Sequence, residues 1–230
     1  MKLTDLIKET IKEDIPTFDV TSSLLIDPLA TAEAQIIAKE SGIFFGTPII
    51  HALNTLLDSV DIQATISDGD HLQPSNICVT LTGNLKQIIE SERTLLNFLQ
   101  RLSGISTTTH AFVSALNDPN IQVLDTRKTT PLFRSLEKEA VSAGGGFNHR
   151  FGLHDMILVK ENHLQLFLKE SQIDVFNDTN FPKDVTTNDI KIRKISDDRI
   201  LQEETTRKIL PLDEITKEPI VITRLKPESD

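Results

Sequence analysis

The segment from Ile121 to His163, IQVLDTRKTTPLFRSLEKEAVSAGGGFNHRFGLHDMILVKENH, constrains the fold more than any other part of the chain. It predicts a strand over Ile121–Asp125, a basic tip at Arg127-Lys128, and a helix over Pro131–Ala143. A triple glycine, His149-Arg150 and a second strand over Met156–Val159 follow, the strand ending on Lys160. Short apolar runs bounded by turn residues and separated by a helical segment specify a strand-helix-strand unit of a parallel sheet. Loops at the carboxyl ends of such strands carry binding and catalysis. Arg127, Lys128 and Lys160 all fall at those ends and are expected to converge on one mouth.

Charge gives that convergence a meaning. The chain carries 24 Lys+Arg against 34 Asp+Glu, a formal net charge of -10. An acidic chain that gathers cations at one sheet edge points to a small anionic ligand, because a nucleic-acid binder would show a wider basic face. Arginine offers a planar fork to carboxylate or phosphate, and lysine a compact point charge. The alternative is that each cation pairs with a surface carboxylate. A cluster at two strand ends favours the ligand.

Other chemistries are narrowed by composition. Cys78 is the sole cysteine, so neither an intrachain disulfide nor a clustered-thiol metal site is available. The opening residues, MKLTDLIKETIKEDIP, place charges where a signal peptide needs an apolar run. No run approaches the roughly 18 apolar residues of a membrane span. A soluble, cytoplasmic protein without membrane or nucleic-acid partners is expected.

Leu3, Leu6, Ile7 and Ile11 share one helical face, and Pro16 ends that run. Asp19, Thr21 and Ser22 suggest a turn. Ala32–Ala38 and Ile43–Phe45, joined by Glu40-Ser41-Gly42, read as a hairpin. Helical spacing returns over Pro48–Leu57. Ile62–Gly83 reads as strand, turn, strand about Asp68-Gly69; it lacks the tip lysine of a biotinyl or lipoyl carrier, and His71 reads as a solvated loop residue. Leu85–Gly104 is a helix with a broad apolar stripe and a stop at Ser103-Gly104. On that helix Arg93 reads by pattern alone as a surface partner of Glu90 and Glu92.

Four motifs then stand in one order: ESERTLLNFLQRLSGIST (90 to 107), LDTRKTT (124 to 130), LEKEAVSAGGGFNHRFGL (136 to 153) and LVKENH (158 to 163). Together with EDIPTFDVTSS (13 to 23), they resemble the quinolinate phosphoribosyltransferase family over about residues 10 to 164. The resemblance implies an α/β fold, with an N-terminal open α/β sandwich over 1–108 and the first strands of an α/β barrel over 109–164. It implies transfer of phosphoribose from phosphoribosyl pyrophosphate to quinolinate with Mg²⁺, giving nicotinate mononucleotide, pyrophosphate and CO2. Homodimers or multiples of dimers are implied as well. By motif, Arg93 matches the family arginine that reaches the partner subunit's site, replacing the surface reading. Thr126, Arg127, Lys128, His149, Arg150 and Lys160 match substrate-binding positions, with Lys128 and Lys160 expected to be catalytic.

The chemistry suits those residue types. Quinolinate carries adjacent carboxylates, so several fixed cations are needed to hold it and reject a mono-acid. Alkylation makes the ring nitrogen cationic, and the ring can then take up the electrons left by departing CO2. His149 is open to two roles, a ligand contact or an orienting residue. The triple glycine is open between a loose connection and a required close approach. The sequence departs from the family pattern at Leu132, where glycine usually follows the TTP turn, and at Glu139, where an aromatic is common. Leu132 is expected to crowd the turn behind Arg127-Lys128.

After Leu164 the motifs cease, and residues 165–230 contain neither Gly nor Ala. Close helix-strand contacts of a parallel barrel rest on those residues, so an incomplete, truncated barrel with a divergent tail is expected. Edge strands are expected at Asp189–Ile195 and Pro219–Leu225, and linker or frayed end at Lys183–Asn188 and Lys226–Asp230. Metal ligands are not identifiable. A frameshifted or truncated reading frame fits this pattern. Two alternatives to the transferase stay open: an inactive remnant that keeps dimerisation and partial anion binding, or a related transferase acting on another ring.

Overall fold

The structure is a computed structural model that describes residues 1–158 and the backbone of 220–227. Contacts divide the chain into two units, Met1–His149 with Leu212–Asp230, and Arg150–Pro211. In the first unit α1 (Leu3–Asp14) and α2 (Val20–Leu25) precede β1 (Thr31–Ala38) and β2 (Gly42–Ile43). Then come α3 (Thr47–Leu56), β3 (Val60–Ala64), β4 (His71–Leu72), β5 (Ile77–Asn84), α4 (Leu85–Leu116), α5 (Arg134–Ala143) and β6 (Ile220–Pro227). The four-stranded sheet has the order β3-β5-β1-β6, and both neighbours of β1 run antiparallel to it. No described helix is long and apolar enough to cross a membrane.

Alternation in β1 sets the sheet's buried face. Ala32, Ala34, Ile36 and Ala38 are buried while Thr31 and Glu33 are exposed, the period-two pattern of a sheet covered on one face. Helices supply the cover: Ile7 of α1, Ile49, Ile50 and Leu53 of α3, and Ile88, Leu95, Leu99 and Leu102 of α4 join one core cluster. Pro48 opens α3 where its missing N–H costs nothing. Gly46 has no side chain with which to cap that helix, and Asp68 does so instead, accepting from the Gly46 and Thr47 amides at 2.7 and 3.0 Å. Asn84 caps α4 through the Gln87 amide at 3.0 Å.

Several sequence expectations need correction. The expected hairpin of Ala32–Ala38 with Ile43–Phe45 does not form; β1 pairs with β5 and β6, and β2 pairs with β4. Asp19 is an N-cap, accepting from the Thr21 and Ser22 amides, so the expected turn is the start of α2. Helix α4 passes through the expected stop at Ser103-Gly104 and continues to Leu116, spanning the boundary placed between residues 108 and 109. Ser103 looked like a stop because serine competes for backbone hydrogen bonds. Here its hydroxyl is buried and bridges the Phe45 amide and carbonyl at 3.0 and 3.2 Å. The tail strand expected at Pro219–Leu225 is present as the edge strand β6, whereas Asp189–Ile195 lies outside the described residues.

The strand-helix-strand unit is also shorter than its sequence suggests. Among the described residues parallel pairing occurs as one bridge, Leu124 with Phe147. The Phe147 amide donates to the Val123 carbonyl at 2.8 Å, and the Asp125 amide to the Phe147 carbonyl at 3.1 Å. The partner therefore comes from directly beyond the glycine turn rather than from Met156–Val159, whose described residues form no strand. Helix α5 starts at Arg134, three residues later than expected, because Leu132 sits at a left-handed φ of 68°.

Candidate functional site

Two ion pairs reach from α5 to the loop that follows Asp125. Glu137 is paired with Arg101 of α4 at 2.6 Å, and its second oxygen accepts from the Thr130 amide at 3.1 Å. Arg101 also donates to the Thr130 hydroxyl. Burial alone would raise the Glu137 pKa, but the hydrogen bonds from Arg101 and Thr130 and the charge of Arg101 outweigh it and hold the carboxyl below its usual value. Lys138 is paired with Asp125 at 2.5 Å, with the two side chains only 4% and 6% exposed. These contacts fix both ends of the segment that carries Thr126, Arg127 and Lys128.

An open cleft of about 320 Å³ lies against that segment, lined in part by Arg101, Asp125, Thr126, Lys128, Thr129 and Lys138. The structure thus brings Thr126 and Lys128 to one wall. Lys128 is exposed, and its amide donates to the Thr126 hydroxyl at 3.1 Å. Arg127 and His149 belong to the same unit and do not line this cleft. Arg127 is half-buried, and its Nε is buried with no hydrogen-bond partner among the described residues. Such an orphaned donor is costly to leave unmatched.

Arg150 lies in the second unit, buried at 7% exposure, and donates to the Met156 carbonyl at 3.0 Å. Its fork is at least partly engaged in shaping its own loop. Arg93 is exposed on α4, while Glu90 pairs with Lys86 at 3.8 Å. Lys160 lies outside the described residues. The glycines are not a loose connection: a Cβ on Gly144 would sit 2.3 Å from the Ser106 carbonyl oxygen, and one on Gly146 2.8 Å from the Thr109 methyl. Gly145 has a left-handed φ of 86°.

Sequence reasoning missed Asp125, Lys138 and the Arg101–Glu137 pair. A local signal existed for Glu137 alone, which lies three residues before Ala140 and next to Leu136, near the apolar face of α5.

Sequence comparison decides the family. The model for the quinolinate phosphoribosyl transferase N-terminal domain matches residues 19–103, and that for its C-terminal domain matches 105–218. A probable nicotinate-nucleotide pyrophosphorylase [carboxylating] of Methanothermobacter thermautotrophicus is 32% identical over 94% of this chain and 77% of its own length. The chain belongs to the quinolinate phosphoribosyltransferase family. A similarly named protein of Bacillus subtilis is 45% identical over 71% of the chain. Against this relative the chain spans 57% of the length. The crystal structure of NadC from Streptococcus pyogenes superposes with a TM-score of 0.68 at 40% identity, covering 70% of this chain and 58% of that one. The C-terminal match continues to residue 218, past Leu164 where the family motifs end.

Magnesium, implied by the family, finds no ready site in the described part of this family member. No group of three or more His, Cys, Asp or Glu side chains that could hold a metal comes together among the described residues. Asp125 and Glu137, the carboxylates nearest the cleft, are each held by a cation.

Proposed function

We propose that this chain is a quinolinate phosphoribosyltransferase, converting quinolinate and phosphoribosyl pyrophosphate to nicotinate mononucleotide, pyrophosphate and CO2 in NAD biosynthesis. The observation that carries the reading is the basic loop Arg127-Lys128 of the family, with Lys128 on an open cleft and a donor on Arg127 buried without a partner among the described residues. A doubly anionic ring suits such a place, since charge-assisted hydrogen bonds to carboxylate are the strong ones. In this reading Lys128 holds a quinolinate carboxylate and Arg127 satisfies its free donor on an anion oxygen. Arg150 and Lys160 match further substrate-binding positions of the family by motif, and His149 orients the ring or touches it. Holding the acceptor nitrogen in line with the ribosyl carbon supplies the proximity on which transfer depends. The ring, cationic once alkylated, then loses CO2 in surroundings already arranged for that charge.

The same proposal includes a homodimer in which Arg93 reaches the neighbouring site, the Mg²⁺ requirement that the family implies, and a cytoplasmic location. The exposure of Arg93 on α4 leaves it available for that reach. Chromatographic detection of nicotinate mononucleotide from quinolinate, phosphoribosyl pyrophosphate and Mg²⁺ tests the reaction. Product formed only when all three are present supports it; nicotinate serving equally well as acceptor would replace it with a transferase of another ring acid.

A further inference from the structure

Asp125 and Lys138 are a charged pair taken almost wholly out of water, and the family reading assigns neither a role. Burying both ions is expensive unless their remaining donors and acceptors are matched. The structure matches them to one backbone position. Asp125 Oδ1 accepts from the His149 amide at 2.9 Å, and Lys138 Nζ donates to the His149 carbonyl at 2.8 Å. With the Asn148 amide assigned in the orientation that matches its neighbours, its nitrogen donates to Asp125 Oδ2 at 2.7 Å and to the Lys138 carbonyl at 2.9 Å. The main chain of His149 is thus held at both its polar groups by the two members of one ion pair. Asp125 also adjoins Thr126, so the loop bearing Arg127-Lys128 and the segment bearing His149 share one anchor.

We infer that Lys138, through its buried pair with Asp125, is a positioning residue that sets the His149 backbone in register with the Thr126–Lys128 loop. The inference rests on the proposed transferase reading for its consequence on substrate, and on geometry alone for the clamp. A surface pair would tolerate loss with little effect; this one transmits its loss to the His149 main chain. Lys138→Met alone leaves Asp125 buried and unpaired, and misfolding would hide the answer. The double variant Asp125→Leu with Lys138→Met removes both charges together, and Lys138→Arg retains the charge.

The test compares these full-length variants with the parent chain by hydrogen exchange over residues 147–149 and by calorimetric titration with quinolinate. A folded double variant whose His149 amide exchanges roughly tenfold faster or more, with quinolinate binding weakened by a similar factor and Lys138→Arg intermediate in both, supports positioning. Unchanged exchange at His149 overturns the clamp. Faster exchange with unaltered quinolinate affinity overturns the functional role and leaves a purely structural pair. If the parent chain binds no quinolinate, the transferase reading fails, the positioning role falls with it, and exchange still decides the clamp.

Discussion

Arg101 and Glu137 meet at 2.6 Å and join α4 to α5, with the Glu137 side chain 10% exposed and that of Arg101 47% exposed. The pair sits beside the cleft and also holds the Thr130 amide, so helix packing and loop placement depend on the same carboxylate.

Arg101→Gln should therefore destabilise the chain by about 1–3 kcal/mol at neutral pH, the exposed side of the pair being screened by solvent. The folded-state pKa of Glu137 lies below its ordinary 4.5, so the stabilisation is present above that value and is lost as pH falls through the folded pKa. Urea unfolding of parent and variant across pH 3 to 7 checks this. The stability gap should close at the acid end; a gap that is constant with pH would contradict the role of the ionised carboxylate.

Leu132 holds a φ of 68° with its side chain 72% exposed, so it bears the strain of a left-handed residue and gains little burial in return. Replacing Leu132 with Gly should stabilise the chain by about 0.5–1 kcal/mol, the relief of strain exceeding the added freedom of the unfolded state. Thermal unfolding reads the change. A lowered melting temperature would show that the Leu132 contacts outweigh its strain.

Gly144 and Gly145 separate two uses of glycine. Ala at Gly144 would drive its Cβ to within 2.3 Å of the Ser106 carbonyl oxygen, and α5 would have to shift from α4. Gly144→Ala should cost about 2–3 kcal/mol, whereas Gly145→Ala, open in space but left-handed, should cost about 1 kcal/mol. Paired denaturation curves give the order directly.

Much of this architecture was legible in the sequence. The spacing of Leu3, Leu6, Ile7 and Ile11 and of Ile49, Leu53 and Leu56 carries α1 and α3, because a helix buries one stripe. Where sequence reading failed, a local signal had been used by a distant partner. The Ser103 hydroxyl is committed to Phe45 instead of ending its helix, and Asp68 caps a helix far from it in sequence. The apolar run at Ile121 and Leu124 suggested a buried strand, yet the two are 53% and 48% exposed. The basic tip at Arg127-Lys128, whose Lys128 lines the cleft, was legible because charge after an apolar run is visible in one dimension. Asp125 and Lys138 were not, because their burial arises from packing between segments and no local pattern encodes it.

Arg93 and Lys128 belong, in the proposed dimer, to one site built from two subunits. Arg93→Ala and Lys128→Ala should each lower kcat/KM by about a hundredfold or more, with little change in melting temperature, since both residues are exposed. Mixing the two inactive variants under subunit exchange should restore about a quarter of the sites, because one site of each mixed dimer retains both residues. No recovery from a demonstrably mixed population would remove Arg93 from the partner's site.

Release of CO2 tests the central claim most directly. With quinolinate labelled at the carboxyl group that departs, the full chain should liberate labelled CO2 only when phosphoribosyl pyrophosphate and Mg²⁺ are both supplied, in step with nicotinate mononucleotide. A folded chain that binds quinolinate yet releases no label above the blank would contradict it.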